Sequence, residues 1–328
     1  MTELVLNTYG TCLAKENDNF VVIHKDGRQM ISPDKLKSVS VCRGASITSD
    51  AALLAIQNQI DVVFIDGTGK PTGRIWSIKF GSISTIRRNQ LDFKDSKFAI
   101  EWIKNLMCRK IDNQVALLLS CKYDNDFTKK KFDKFILRLE NYKLKIEKLE
   151  GESIFDISSE LRGWEGVSSK IYFEAISLII PENYRFATRS QHPALDIFNC
   201  LLNYGYGLLY SKIEGALIKA GIDPYIGIFH RDEYNRPVLA YDVIEIFRVW
   251  IDYIVVHLLL QNAIDEDCYS IKPDGSYWLE NMGKRILIQS INDYLSEIIN
   301  IKGLERSRHT HIELHCQNLA QKFLKFNH

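Results

Sequence analysis

The chain has 328 residues, with 42 lysines and arginines against 41 acidic residues, and 46% of its residues are hydrophobic. This is the composition of a folded globular protein, and it excludes collagen-like, low-complexity and disordered assemblies. A formal net charge of +1 supplies no global field for nucleic acid, so any such affinity has to come from local patches. The seven cysteines are scattered, odd in number and never spaced as CxxC. That disfavours a secreted disulfide framework and a structural zinc site, and it fits a reducing cytoplasm. Met1-Thr2-Glu3-Leu4 lacks the basic and apolar regions of a signal peptide. The most apolar stretch, Val249 to Leu260, is too short for a bilayer and carries Asp252 and His257. A soluble cytoplasmic protein without a membrane partner is expected.

In chain order, Met1 to about Phe80 reads as short strands and turns. Asn19 to His24 is a β-rich run, and Lys25-Asp26-Gly27-Arg28 carries a DG hairpin signal before Gln29-Met30-Ile31. Ser38 to Val41, Asp61 to Ile65 and Arg74-Ile75-Trp76 predict further strands, and Ser49 to Ile56 predicts a short helix with cap residues at its start. From about Leu91 the period becomes helical and stays so almost to His328. The join lies near Ile83 to Gln90. The expected fold class is α+β: a β-rich domain over residues 1–86, then a large all-α domain over residues 87–328.

Three stretches of the second half carry chemistry. In Leu161-Arg162-Gly163-Trp164-Glu165-Gly166, a carboxylate sits between two glycines where an apolar helical period begins. The small neighbours would let a ligand or another backbone approach; equally, Glu165 could simply favour the positive end of a helix. In Gly221 to His230, a helix stop and an Asp-Pro turn lead into an apolar segment that delivers one imidazole. That suits a metal ligand, a general base, or a satisfied core histidine. From Arg236 to Trp250, Asp242 and Glu245 share one face of a helix that is otherwise apolar, and Asp252 extends the stripe. Buried carboxylates need partners: Arg248 could pair with Glu245, while Asp242 still needs one. If these elements converge, an oxygen-rich set with one nitrogen suits Mg²⁺ or Mn²⁺.

Lys122 to Lys148 holds nine basic against five acidic residues beside an apolar stripe of Phe132, Phe135, Leu139, Tyr142, Ile146 and Leu149. Such a face is solvated or tracks phosphates, with Lys79, Arg87 and Arg88 as additional DNA contacts. His309, His311 and His315 cluster without forming HExxH. Gly205-Tyr206-Gly207 lacks the preceding strand and third glycine of a dinucleotide fingerprint, and helix packing explains it better.

Three ordered segments then resemble one family: Gly163-Trp164-Glu165-Gly166, Asn199 to Tyr210, and Gly221 to His230. Arg236-Pro237, Asp242, Glu245 and Phe247-Arg248 follow. The family is CRISPR-associated protein one, the integrase that inserts new spacers into CRISPR arrays. The resemblance is dense from Gly163 to Arg248, and the β-then-α layout resembles the family throughout. It implies that Glu165, His230 and Glu245 are ligands of a divalent metal, Mg²⁺ or Mn²⁺. Asp242 would be the second acid behind them or an alternative ligand, so the direct ligand stays open between Asp242 and Glu245. Asn199 and Tyr210 would lie close to the active site, and Arg248 would contact phosphate.

The resemblance further implies metal-assisted transesterification, with a DNA 3′-hydroxyl attacking a phosphate at the repeat boundary, or endonuclease activity with water as nucleophile. The implied partners are double-stranded DNA (spacer precursor and repeat), a second copy of the chain in a homodimer whose contacts the β domain makes, and a dimer of CRISPR-associated protein two. Two other readings stand beside it: a transposon-type integrase with the same domain, and a non-catalytic DNA-binding scaffold whose acids form internal ion pairs.

Overall fold

The computed structural model describes residues 2–67, 69–75, 84–121, 126–231 and 233–326. In the first 75 residues, short runs rich in β-branched side chains alternate with turn residues and pair into two sheets. The strands are β1 (Thr2–Leu6), β2 (Cys12–Glu16), β3 (Asn19–His24), β4 (Gly27–Ile31), β5 (Leu36–Cys42), β6 (Ser46–Ile47), β7 (Asp61–Ile65) and β8 (Pro71–Ile75). One sheet runs β1-β5-β7-β8, parallel except for β8, and the other runs β4-β3-β2-β6. The DG signal forms the expected hairpin: His24 pairs with Gly27, whose φ of 153° suits a residue without Cβ. Helix α1 (Ser49–Gln57) is capped by Thr48, whose hydroxyl accepts from Ala51 N–H at 3.3 Å, one residue ahead of the expected start.

Strand β7 belongs to two cores at once. Val62 packs with Leu6, Leu13, Phe20, Val39 and Leu54 in the smaller core, while Val63 and Ile65 join the larger, helical one. Successive side chains of a strand point to opposite faces, so one strand can serve both. Helix α2 (Ser84–Lys94) starts before residue 87, and Ile86 is already in the helical core, so the expected boundary after residue 86 falls inside this helix. Trp76, Lys79 and Lys122 lie outside the described residues.

The larger half packs α3 (Lys97–Ser120), α4 (Asp126–Glu147) and α5 (Ile154–Ile179) with α6 (Ile197–Lys219), which is buried almost all round. Helices α7 (Val238–Ile244) and α8 (Arg248–Leu260) follow. This half is not all-α as expected. Two hairpins, β9 (Tyr269–Ile271) with β10 (Tyr277–Leu279) and β11 (Ile298–Ile301) with β12 (Leu304–Ser307), flank α9 (Asn281–Ser296) before α10 (Arg308–Leu324). Lys302 and Gly303, both at positive φ, make the tight turn that separates β11 from β12. The stripe of α4 is buried as expected at Phe132, Phe135, Leu139 and Ile146, with Lys129, Lys130, Lys131, Lys134 and Arg138 exposed. No helix among the described residues is long and apolar enough to cross a membrane, and all seven cysteines are free.

Glycines of α6 let neighbouring elements approach, one from each half. A Cβ on Gly207 of α6 would stand 2.5 Å from the carbonyl oxygen of Gly69, and one on Gly205 would stand 2.6 Å from Ile251. Nearby, Arg74 of β8 donates to the Ser211 carbonyl at 2.8 Å and pairs with Asp61 and Glu214. Gly207→Ala is therefore expected to destabilise the protein by about 1–3 kcal/mol through overpacking. Gly163→Ala, where nothing lies within 4 Å, is expected to stabilise by ~0.5–1 kcal/mol through helix propensity. Urea midpoints of the two variants should move in opposite directions.

Candidate active site

The segment that delivers His230 is fixed from both ends. Gly221, at φ 82°, closes α6 in a Schellman arrangement: its N–H donates to Ile218 and that of Ile222 to Leu217. Buried Gln90 of α2 then grips the next turn, donating to the carbonyls of Asp223 and Ile226 and accepting from Asp223 N–H. Asp242 of α7 holds the far end. Its Oδ2 accepts from the N–H groups of Ile228 (2.8 Å) and Phe229 (3.0 Å), and its Oδ1 accepts from the N–H (3.0 Å) and Nδ1 (2.6 Å) of His230. The network assigns the proton to Nδ1 and leaves the lone pair of Nε2 available. Burial alone would lower the pKa of His230, but Asp242 outweighs it and raises the pKa above the ordinary histidine value. Asp242 is fully buried with both oxygens committed to these donors, whereas Glu245 faces the cations Lys110 and Arg248.

Glu165 lies well inside α5, not at the start of a helix as expected. The helix begins earlier because Ser153 and Asp156 form a capping box, which removes the helix-dipole explanation for this acid. Gly163 and Gly166 are exposed and have nothing within 4 Å of a Cβ, so they keep the flank of Glu165 open. The helix read across residues 236–250 is broken by turns at 245–247. The break sends Asp242, Glu245 and Asp252 to different partners instead of along one stripe.

Glu165 and Glu245 meet at a lysine that the sequence reading passed over. Lys110 of α3 places Nζ 2.6 Å from Glu165 Oε1 and 2.6 Å from Glu245 Oε2. The first contact is a hydrogen bond; the second is close but lacks hydrogen-bond geometry, so Glu245 Oε2 is a buried oxygen facing a cation with no directed donor. The other oxygen, Oε1, accepts from Arg248 Nε at 2.9 Å. Burial pushes the Glu245 carboxyl up, but Arg248 and Lys110 together hold its pKa down at about 2. Among the described residues, no three His, Cys, Asp or Glu side chains stand close enough to cage a metal. The donor types nonetheless fit a hard divalent ion: two carboxylates on separate elements, the undirected oxygen of Glu245, and an imidazole with Nε2 open.

His230 and Arg248 line a cleft of about 1100 Å³ between the β8 hairpin and the helical half. Its walls are cationic and aromatic: Lys70, Arg74, Arg189 and Lys272 with Tyr206, Tyr210, Tyr241 and Trp278. Positive charge interleaved with ring faces is the chemistry that takes up single-stranded nucleic acid. The Tyr206 ring lies between two guanidiniums, Arg189 at 5.5 Å and Arg248 at 4.8 Å. Its hydroxyl donates to Asp252, as does that of Tyr172 at 2.9 Å. Burial outweighs both hydrogen bonds and raises the Asp252 pKa to about 6.

The remaining expected residues divide. Tyr210 lines the cleft and accepts from Arg248 Nη2 at 2.9 Å. Asn199 does not reach the cleft wall: it is fully buried, accepting from Arg189 and Ser190 and donating to Thr188 and Asp196. Arg87 is half-buried and Arg88 exposed on α2, away from the cleft walls. The C-terminal histidines do not converge: His309 meets Glu3 and Glu313, His311 the Ile299 carbonyl, and His315 the Phe247 ring. Lys110 had one signal in the sequence, a lysine on the helical stripe of Leu106, Met107, Ile111 and Leu118. Gln90 and Arg189 had none: the partners of Gln90 are backbone groups far along the chain, and those of Arg189 are a neighbouring carbonyl and two amides on α6 that no motif marks.

A family model described as CRISPR associated protein Cas1 matches residues 4–293. A CRISPR-associated endonuclease Cas1 of Archaeoglobus fulgidus is 32% identical, over 97% of this chain and 95% of its own. Among solved structures, a casposase bound to integration product superposes with a TM-score of 0.85 at 21% identity, covering 99% of this chain and 91% of that one. A chain of a Cas6-RT-Cas1–Cas2 complex superposes with a TM-score of 0.79 at 24% identity, over 98% of this chain and 35% of that one.

Asp242→Ala would strand three buried N–H groups and is expected to cost on the order of 3 kcal/mol or more in urea unfolding. For Asp252, the folded pKa of about 6 lies above the unfolded value near ~4. Its protonation therefore favours the folded state: the contribution is complete below pH ~4 and is lost as pH rises through about 6. Asp252→Asn should flatten the stability profile between those limits, as read by urea midpoints across pH.

Proposed function

This chain belongs to the Cas1 family, and from that membership and the site's geometry we propose that it is a divalent-metal-dependent DNA endonuclease and integrase that joins new spacer DNA to a CRISPR array. The observation that carries the reading is the meeting of Glu165 and Glu245 beside a cleft that an Asp242-oriented His230 lines. Glu165, Glu245 and Nε2 of His230 would hold Mg²⁺ or Mn²⁺, which supplies Lewis-acid stabilisation of charge developing on a phosphodiester. Asp242 keeps the imidazole proton on Nδ1, so Nε2 is free to ligate or to take a proton from an attacking 3′-hydroxyl or water. Arg248, fixed by Glu245 and Tyr210, offers a guanidinium to the phosphate. The aromatic and basic walls of the cleft would stack and neutralise a DNA strand.

Double-stranded DNA is the proposed substrate, for spacer precursor and repeat alike, with a homodimer as the working unit and a Cas2 dimer as partner. The superposition on a chain of a Cas6-RT-Cas1–Cas2 complex supports the Cas2 assignment. Two observations favour other readings. The superposition on a casposase fits a transposon-type integrase with the same site, and a requirement for a repeat in the target DNA separates the two. The pairing of both acids with Lys110 and Arg248 is what a silent scaffold would show.

Strand transfer decides. A short duplex with 3′-hydroxyl ends is offered to a plasmid bearing a repeat, with Mn²⁺ or Mg²⁺ and the partner present. Products are expected to require metal and to fall by about 100-fold or more in Glu165→Ala and His230→Ala, with DNA binding retained. Wild-type protein that binds DNA and yields no product would favour the scaffold.

A further inference from the structure

Lys110 is a buried ammonium with an unusual placement. Its side chain is only 7% exposed, and it leaves the apolar stripe of α3 to stand between carboxylates on two other elements, Glu165 on α5 and Glu245 at the α7–α8 break. Burial opposes its charge, yet Glu245 and Glu165 more than compensate and raise its pKa above the ordinary lysine value. With Arg248 on the remaining oxygen of Glu245, two carboxylates are already balanced by two cations. Bare, the two acids would repel each other and each would carry a desolvation penalty. Glu165 and Glu245, the acids that would hold a divalent ion, thus already share the Lys110 ammonium, with Nζ 2.6 Å from each.

We propose that Lys110 is a tethered stand-in for the divalent ion: its ammonium joins Glu165 to Glu245 in the metal-free protein and leaves that pair when metal enters. Lys110 therefore stabilises the empty site and lowers its affinity for metal. The proposal rests on the metal-dependent reading above, and it separates Lys110 from a purely structural ion pair, which would stay in place whether or not metal is present. A cation that must be displaced also disfavours filling of the site until another ligand, such as a DNA phosphate, contributes to the exchange.

The test compares wild type, Lys110→Met and Glu245→Gln by Mn²⁺ titration, reading free Mn²⁺ by electron paramagnetic resonance, and by thermal melting in chelator and in Mn²⁺. Wild type should bind Mn²⁺ at a site that Glu245→Gln loses, and Lys110→Met should bind about tenfold more tightly or better. In chelator, Lys110→Met should melt below wild type and gain more from Mn²⁺. Equal or weaker binding by Lys110→Met overturns the role of Lys110 while leaving the metal reading intact. Absence of a Glu245-dependent Mn²⁺ site from both wild type and Lys110→Met removes the two together. Should Lys110→Met not fold, wild type labelled with ¹⁵N-lysine gives the answer. A protected Nζ signal in chelator, assigned by its loss in Lys110→Arg, has to change as Mg²⁺ saturates the site, and an unchanged signal sinks the proposal.

Discussion

A carboxylate can be sunk into a helical core only where donors or cations receive it, and Asp242, Glu245 and Asp252 are sunk to 4% exposure or less. Each is received differently, and the differences build the site. Asp242 takes backbone N–H groups and an imidazole, which shapes the loop from Ile228 to His230. Glu245 takes two cations, which ties α3 and α8 to the break between α7 and α8. Asp252 takes two phenols, which seats Tyr206 between Arg189 and Arg248. Three acids within eleven positions of chain thus orient a proton-carrying ring, a pair of facing carboxylates and a stack of cations in the cleft.

Much of this was legible in sequence wherever the signal was local. The hairpin at Asp26-Gly27, the strand Asp61–Ile65 and the stop at Gly221 are written in neighbouring residues, and the structure has them. The convergence of Glu165 and Glu245 was legible only through family resemblance, since it depends on α3 supplying Lys110 from more than fifty residues away. Reading Glu165 as a first-turn acid failed because an apolar period marks a buried face, not a helix start; Ser153 and Asp156 set the start. The stripe read through Asp242, Glu245 and Asp252 failed for a related reason. Periodicity assumes an unbroken helix, and turns at 245–247 rotate the later acid away.

The fate of Asn199 shows how position near a site differs from participation in it. Its side chain closes a polar knot with Arg189, Ser190, Thr188 and Asp196, and Arg189 in turn reaches the cleft. An amide with all its donors and acceptors used inside the protein has nothing left to offer a ligand. It acts by holding Arg189, as Gln90 acts by holding the turn ahead of His230. The partners of Gln90 lie more than a hundred residues away and those of Asn199 within eleven, and neither residue type announces its role.

The sharing of β7 between the two cores has a mechanical side. A strand whose alternate side chains are anchored in different cores makes a poor hinge, because bending it loosens both at once. With the Gly69 carbonyl set against Gly207 and Arg74 bolted to the Ser211 carbonyl, the β and helical halves behave as one beam under load. Any widening of the cleft is then left to the side chains and short loops along its rim.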